Sequence, residues 1–116
     1  MEVEVSETVA HLRRRARERA ARGSARRTAL ERLLPEARDI LRSRGAGRVY
    51  AFGSTVAGQA TAGSDLDLAT EGLPRGAYFD AYGALLRALP CEVDLVRLEE
   101  APASLRERVR REGREL

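Results

Sequence analysis

The sequence predicts an α+β domain, in which a short mixed sheet carries helices on one face and follows an N-terminal helical extension. Three observations lead to this prediction. Residues 1–44 place apolar side chains at helical spacing among many arginines, residues 48–98 contain three short strand-like segments, and helical segments separate or follow these strands. At 116 residues the chain suffices for one core. We therefore expect residues 1–44 to pack on a core domain formed by residues 45–116.

The N-terminal extension is predicted to contain two helices. Val5–Arg22 has only a thin apolar stripe, and Gly23 is the expected end of this first helix. A stronger apolar stripe over Thr28–Arg44 predicts a second helix, and Thr28 has the spacing of a capping box with Glu31. Pro35 should kink this second helix or split it, because proline cannot donate the backbone hydrogen bond.

Three strands are expected in the core domain. Arg48–Phe52 is a short β-branched and aromatic run, and Asp65–Thr70 alternates polar and apolar residues as a half-buried strand does. A third strand is expected over Cys91–Leu98. The segment between the first two strands is rich in Gly, Ala and Thr and should form a loop or a short helix.

Two helices complete the predicted domain. Tyr78–Leu89 has large apolar residues on one side and lies between the second and third strands. Pro102 is expected to open a short final helix that turns Leu105 and Val109 inward and ends at Gly113.

The charge of the chain is unevenly distributed. All 21 basic residues are arginine; residues 1–48 hold 13 of them against 7 acidic residues, and residues 49–116 hold 8 against 11. Guanidinium groups bind phosphates and carboxylates in bidentate geometry, so nucleic acid, a nucleotide and an acidic partner are all compatible with this composition. The simplest interpretation is a solvated helix face. Direct nucleic-acid binding by residues 11–32 stays open, although these residues lack the aromatic side chains of single-strand platforms.

The sequence predicts a cytoplasmic protein that does not enter a membrane. No segment approaches the roughly 20 apolar residues that span a bilayer, and Met1 is followed by acidic residues rather than by a signal peptide. The single cysteine, Cys91, cannot form an internal disulfide and should pack at the start of the third strand.

Two short motifs suggest a phosphate and metal site. Gly53-Ser54 follows the first strand directly, where glycine lets the backbone approach a ligand and the serine hydroxyl and amides can hold phosphate. Asp65 and Asp67 are two residues apart in a strand, so both carboxylates project from one face. Such hard oxygen ligands suit Mg²⁺.

A third carboxylate is expected beside them. In Cys91–Leu98, Val93 and Leu95 should face the core and Asp94 the opposite side. If this strand pairs with Asp65–Thr70, three carboxylates converge and could hold two metal ions that flank a phosphorus atom. Glu92 shares the face of Asp94 and is a weaker fourth candidate.

Gly53-Ser54, followed after nine residues by Ser64-Asp65-Leu66-Asp67, resembles the signature of polymerase-β-like nucleotidyltransferases. The chain is most similar to their minimal nucleotidyltransferase (MNT) antitoxin-type members, which are encoded beside HEPN-domain toxins. Residues 92–96 and the final helix extend the resemblance, which covers roughly residues 45–116. It implies a small polymerase-β-like fold, with residues 45–116 as the nucleotidyltransferase core.

The resemblance also implies a reaction, its cofactors and a partner. The expected reaction is transfer of a nucleoside monophosphate, with AMP from ATP favoured over other NTPs, to a hydroxyl of a HEPN-type toxin, with two Mg²⁺ ions. Asp65, Asp67 and Asp94 are the expected catalytic and metal-binding residues. The nucleotide-binding residues would be Gly53, Ser54 and Ser64. Oligomer formation stays open.

One departure from the family pattern favours a different function. Members of this group often carry Gly-Ser-x-Ala-Arg-Gly, whereas Ala57 stands here at the place of the arginine. Loss of that arginine would weaken phosphate binding. The alternative is therefore a weak or inactive antitoxin that neutralises its partner by complex formation. A small-molecule acceptor is disfavoured, because no segment of the sequence suggests a second domain to hold it.

Overall fold

The structure, a computed structural model, describes residues 2–53 and 66–116, without the side chains of residues 2–8, 19–21, 23–24 and 26. Its helices are α1 (Glu2–Ser43), α2 (Tyr78–Ala88) and α3 (Ala103–Glu112). Its strands are β1 (Arg48–Phe52), β2 (Leu66–Glu71), β3 (Val93–Arg97) and β4 (Arg114–Glu115), and single 3-10 turns lie at Arg75–Ala77 and Leu98–Glu100.

The strands form one mixed sheet in the order β3-β2-β1-β4. β1 runs antiparallel to both β2 and β4, while β2 and β3 are parallel and are connected through α2. The predicted α+β class and mixed sheet are confirmed. β4 is an addition that the sequence did not predict, because two exposed charged residues carry no strand pattern.

One face of the sheet packs against α1 and α2. Alternate residues of the three longer strands point to this side and are almost fully buried, as the period of two requires. They form one core with Leu30, Leu34, Ala37 and Leu41 of α1 and with Ala81 and Leu85 of α2. The strand residues in this core are Val49, Ala51, Leu66, Leu68, Val93 and Leu95.

The opposite face is partly covered by α3. Tyr50 and Ala69 are buried there with Leu98 and with Val109 of α3, and Leu105 packs against this smaller core. The inward-facing prediction for Leu105 and Val109 is therefore confirmed. The sequence placed helices on one face only; the structure adds α3 on the second face, because apolar strand residues there also need cover.

The N-terminal region is one continuous helix rather than two. α1 runs from Glu2 to Ser43 through both Gly23 and Pro35, so the predicted end at Gly23, the start at Thr28 and the split at Pro35 are wrong. Pro35 and Glu31 lie on the exposed side of α1, where water can satisfy the carbonyl that proline leaves without a donor. Burial of Leu34 and Ala37 on the other side offsets the lost hydrogen bond.

No helix in the described part of the chain is both long enough and apolar enough to cross a membrane. The predicted cysteine position agrees with the structure, since Cys91 is half-buried and packs against the larger core two residues before β3.

The turn after β2 is tied to the segment after β3. Gly72 adopts a left-handed conformation, with φ of 84°, and its N–H donates a 2.6 Å hydrogen bond to the Glu99 carboxylate. Burial raises the pKa of Glu99, but hydrogen bonds from the N–H groups of Gly72 and Glu99, together with the charge of Arg97, bring it below its ordinary value. The ionised carboxylate therefore stabilises the fold.

We expect Glu99→Gln to lower the free energy of unfolding by about 1 kcal/mol at pH 7, because a neutral amide accepts this exposed hydrogen bond less strongly. The folded-state pKa lies below the unfolded one, so the stabilisation is present above the ordinary pKa of 4.5 and is lost as the pH falls through the folded value. Urea unfolding at pH 7 and pH 3 measures this difference. Glu107→Gln, at an exposed position of α3, is the control. A difference that persists unchanged at pH 3 would contradict the assignment.

Candidate active site

The end of β1 brings a glycine against a carboxylate of β2. Gly53 follows Phe52 directly and has a left-handed φ of 66°. A Cβ atom placed on Gly53 would collide with Oδ2 of Asp67. The backbone therefore approaches this carboxylate more closely than any other residue type would permit. Gly53 of the first predicted motif and Asp67 of the second are therefore within contact distance of each other.

Asp67 and Asp94 occupy adjacent positions of the sheet. Asp67 is paired with Phe52 of β1 on one side and with Asp94 of β3 on the other. Neighbouring strands are about 4.8 Å apart, so these two carboxylates belong to one small surface. The condition stated for Asp94, that the third strand lies beside the second, is therefore met.

Both carboxylates project away from the larger core. The residues that flank Asp67, Leu66 and Leu68, are fully buried beneath the helices, and Val93 and Leu95 on either side of Asp94 are also buried. Asp67 is half-buried at the sheet surface, whereas Asp94 is exposed. The strand period thus separates an apolar side from an acidic side, as the alternation in the sequence predicts.

This donor set fits a divalent cation. Two neighbouring carboxylates repel each other unless a cation compensates them, and carboxylate oxygens are the ligands that Mg²⁺ prefers. Within residues 2–53 and 66–116, no group of three His, Cys, Asp or Glu side chains lies close enough to hold a metal. Ser54, Ala57, Ser64 and Asp65 lie outside the described residues. Asp65 and the phosphate-binding loop therefore stay predictions.

Tyr78 holds β3 in place beside the acidic surface. Its hydroxyl donates a 2.6 Å hydrogen bond to the carbonyl of Leu95, the residue that follows Asp94. Burial raises the pKa of Tyr78, and the nearby Tyr82, Asp94 and Glu100 add to this effect, so the donor stays protonated at neutral pH. The sequence pattern identified Tyr78 only as the first residue of a predicted helix. A hydrogen bond to a backbone carbonyl leaves no sequence signal.

A separate pocket lies at the other end of the same face. Its volume is about 360 Å³, and it is lined by Glu71, Leu98, Glu99, Arg106 and Arg110. Glu71 is four residues beyond Asp67 along β2, or about 13 Å, so this pocket does not include the paired aspartates. Arg110 crosses it to pair with Glu71 at 3.3 Å. Its charges are therefore partly compensated within the chain.

Residues 36–116 match the family model described as polymerase beta, nucleotidyltransferase. The chain belongs to this family. The match includes all four strands, Gly53, Asp67 and Asp94, and it begins inside α1, one residue after Pro35. The predicted family and fold are thereby confirmed. No curated protein matches the chain.

Solved structures of toxin–antitoxin complexes are similar to this family member. A chain of a toxin–antitoxin complex with AMP-PNP is 30% identical, with a TM-score of 0.59 over 66% of each chain. A chain of the MntA-HepT complex is 27% identical, with a TM-score of 0.55 over 70% of this chain and 66% of that one. The same values hold for a chain from a tri-AMPylated Shewanella oneidensis HEPN toxin in complex with an MNT antitoxin. The present chain thus spans about two thirds of the length of these neighbours.

We expect Gly53→Ala to displace Asp67 and to lower the free energy of unfolding by about 1–2 kcal/mol, because the new Cβ meets the carboxylate and the left-handed backbone penalises alanine. Chemical denaturation measures the loss of stability. The affinity for a non-hydrolysable ATP analogue reports the displacement of Asp67.

Gly76→Ala is the matched control, because a Cβ on Gly76 meets no atom within 4 Å. Equal stability of the two variants would show that Gly53 does not carry the packing described here.

Proposed function

We propose that this nucleotidyltransferase transfers AMP from ATP to a hydroxyl group of a HEPN-type toxin and acts as the antitoxin of that pair. The single observation that carries the proposal is the juxtaposition of Gly53, Asp67 and Asp94 on one surface of the sheet. Phosphoryl transfer depends mainly on positioning and on charge neutralisation, which such a surface supplies.

The similar structures support the choice of nucleotide and partner. One of them contains AMP-PNP, and another contains a tri-AMPylated HEPN toxin in complex with an MNT antitoxin. AMPylation joins AMP to an acceptor oxygen with release of pyrophosphate. A tyrosine hydroxyl of the partner is the acceptor that the family resemblance favours.

Each candidate side chain has a distinct part in this reaction. Asp65 and Asp67 would hold the Mg²⁺ that accompanies the ATP phosphates, and Asp94 would complete the site of a second ion. Bound Mg²⁺ supplies charge neutralisation at the phosphates. Asp94 is exposed and can also accept the proton of the acceptor hydroxyl while the hydroxyl oxygen attacks the α-phosphorus. Gly53, Ser54 and Ser64 would position the phosphates through close backbone approach and hydroxyl groups.

One observation favours a second function. Ala57 replaces the arginine expected in the phosphate loop, and a chain without that guanidinium binds phosphate less strongly. The second candidate is therefore an antitoxin that neutralises the toxin by complex formation alone. The two functions differ in whether removal of a carboxylate abolishes covalent modification.

We expect Asp94→Asn to reduce transfer of labelled AMP to the toxin about 100-fold or more, because the amide cannot bind the cation or accept the proton as a carboxylate does. Asp94 is exposed, so the fold should tolerate the change. The assay combines the pure chain, Mg²⁺, each labelled NTP and the product of the neighbouring gene, and it follows the mass of that partner.

Glu107→Gln, which removes the same charge from an exposed position of α3, should retain full transfer. If Asp94→Asn also retains full transfer, the proposed active site is wrong. If neither variant nor the unchanged chain labels the toxin, yet all three neutralise it, complex formation is the function.

A further inference from the structure

Much of α1 lies outside the core. The first residue of α1 that belongs to either apolar core is Leu30. Every described side chain before it, at positions 9–18, 22, 25 and 27–29, is exposed. At about 1.5 Å per residue the 42-residue helix is about 63 Å long, close to the 67 Å length of the whole molecule. The preceding part of α1 therefore projects from the domain as a rod.

The rod carries a dense positive charge. Residues 9–29, about 30 Å of helix, contain eight arginines and one acidic residue, Glu18. Arginines outside the rod, such as Arg44, Arg75 and Arg97, are paired with carboxylates. None of the described arginines of the rod forms an ion pair with a described carboxylate; these are Arg13, Arg14, Arg15, Arg17, Arg22 and Arg27. The described part of the rod thus offers a set of guanidinium groups that no described carboxylate pairs with.

The described arginines of the rod surround the helix instead of lining one side. Successive residues of a helix are rotated by about 100°, so Arg13, Arg14 and Arg15 point in three different directions. A protein-binding face would instead gather large apolar side chains on one side. The exposed large apolar residues described in α1 are Val9 and Leu12, with 39% and 57% of their surfaces exposed. A second copy of the chain is disfavoured, because it would present the same positive rod.

A double-stranded nucleic acid, with phosphates on both sides of a groove, matches arginines that point to all sides of the helix. B-form DNA carries one negative charge per about 1.7 Å of its axis, and its major groove, about 12 Å wide, admits an α-helix with phosphates on both sides. A-form RNA has a deep and narrow major groove that does not admit the helix in this way. The rod contains no Phe, Tyr or Trp on which unpaired bases could stack, so a single strand fits less well.

We propose that residues 9–29 of α1 bind the phosphate backbone of duplex DNA, with the helix lying in the major groove and with little dependence on base sequence. This activity goes beyond the proposed nucleotidyl transfer and does not require it. The family match begins at residue 36, after the rod, so the rod is a feature of this chain outside the matched region.

The test measures binding of the full chain to a fluorescent 30-base-pair DNA duplex of mixed sequence across a salt series. We expect the logarithm of the association constant to fall with the logarithm of salt concentration with a slope near −4.5, which corresponds to about five phosphate contacts. Replacement of Arg13, Arg15 and Arg17 by glutamine should weaken binding about tenfold or more and should reduce the slope by about 2.7.

A matched variant separates this site from a general effect of charge. Replacement of Arg87, Arg108 and Arg111 by glutamine removes the same charge from exposed positions of α2 and α3, and binding should stay within about twofold of the unchanged chain. Circular dichroism checks that both variants keep their helix content. Asp94→Asn should bind DNA normally, so failure of nucleotidyl transfer leaves this result intact.

Four results would overturn the proposal. The first is equal weakening of DNA binding by both triple variants, and the second is a dissociation constant for DNA above about 10⁻⁴ M at 50 mM salt. The third is tighter binding of duplex RNA than of duplex DNA. The fourth is loss of toxin binding, with unchanged DNA binding, in the variant of Arg13, Arg15 and Arg17. The last result would assign the rod to an acidic protein partner.

Discussion

The parallel pairing of β2 with β3 is the constraint on which the candidate site depends. This register sets Asp67 beside Asp94 and, through the alternation of each strand, sends their apolar neighbours into the core on the opposite side. A shift by one residue in either strand would bury a carboxylate and expose a leucine or valine. The energy of the core therefore also fixes the position of the acidic surface.

Several contacts outside the acidic surface hold this register. Tyr78 joins α2 to the backbone of β3, and Arg97 at the end of β3 donates a 2.8 Å hydrogen bond to the carbonyl of Leu73 beyond β2. Glu99 binds the turn at Gly72 from the same region. Two of these contacts lie at the carboxyl end of the β2–β3 pair, and the contact of Tyr78 reaches the middle of β3. The geometry of the site is thus maintained by residues that take no part in the chemistry.

The sequence predicted the strands well because their signals are local. β1 has the predicted bounds, and β2 and β3 lie within one or two residues of theirs, since alternation of apolar and polar residues identifies a strand wherever it pairs. The Gly53-Ser54 and Asp-x-Asp spacing, combined with Asp94, also led to the family. The contact between Gly53 and Asp67 was beyond prediction, because it arises from the turn geometry at the end of β1 rather than from either motif.

The helices show where local signals mislead. Gly23 and Pro35 are ordinary marks of a helix end, yet the chain continues through both, and burial of Leu34 and Ala37 on the sheet decides the outcome at Pro35. The sequence did not predict β4 for the opposite reason, because a local signal is absent there. Its pairing with β1 and the hydrogen bond from the Leu116 N–H to Val49 depend on the position of α3, which no two-residue pattern reveals.

A single helix that is half embedded and half solvated has two regimes of local stability. The backbone amides of residues 30–43 can open only if the side chains of Leu30, Leu34 and Leu41 leave the core, whereas those of residues 9–29 need break only helical hydrogen bonds. Hydrogen exchange along α1 should therefore change by orders of magnitude within about two turns around Leu30. Any ligand of the projecting part would slow exchange there without changing the protection of the embedded part.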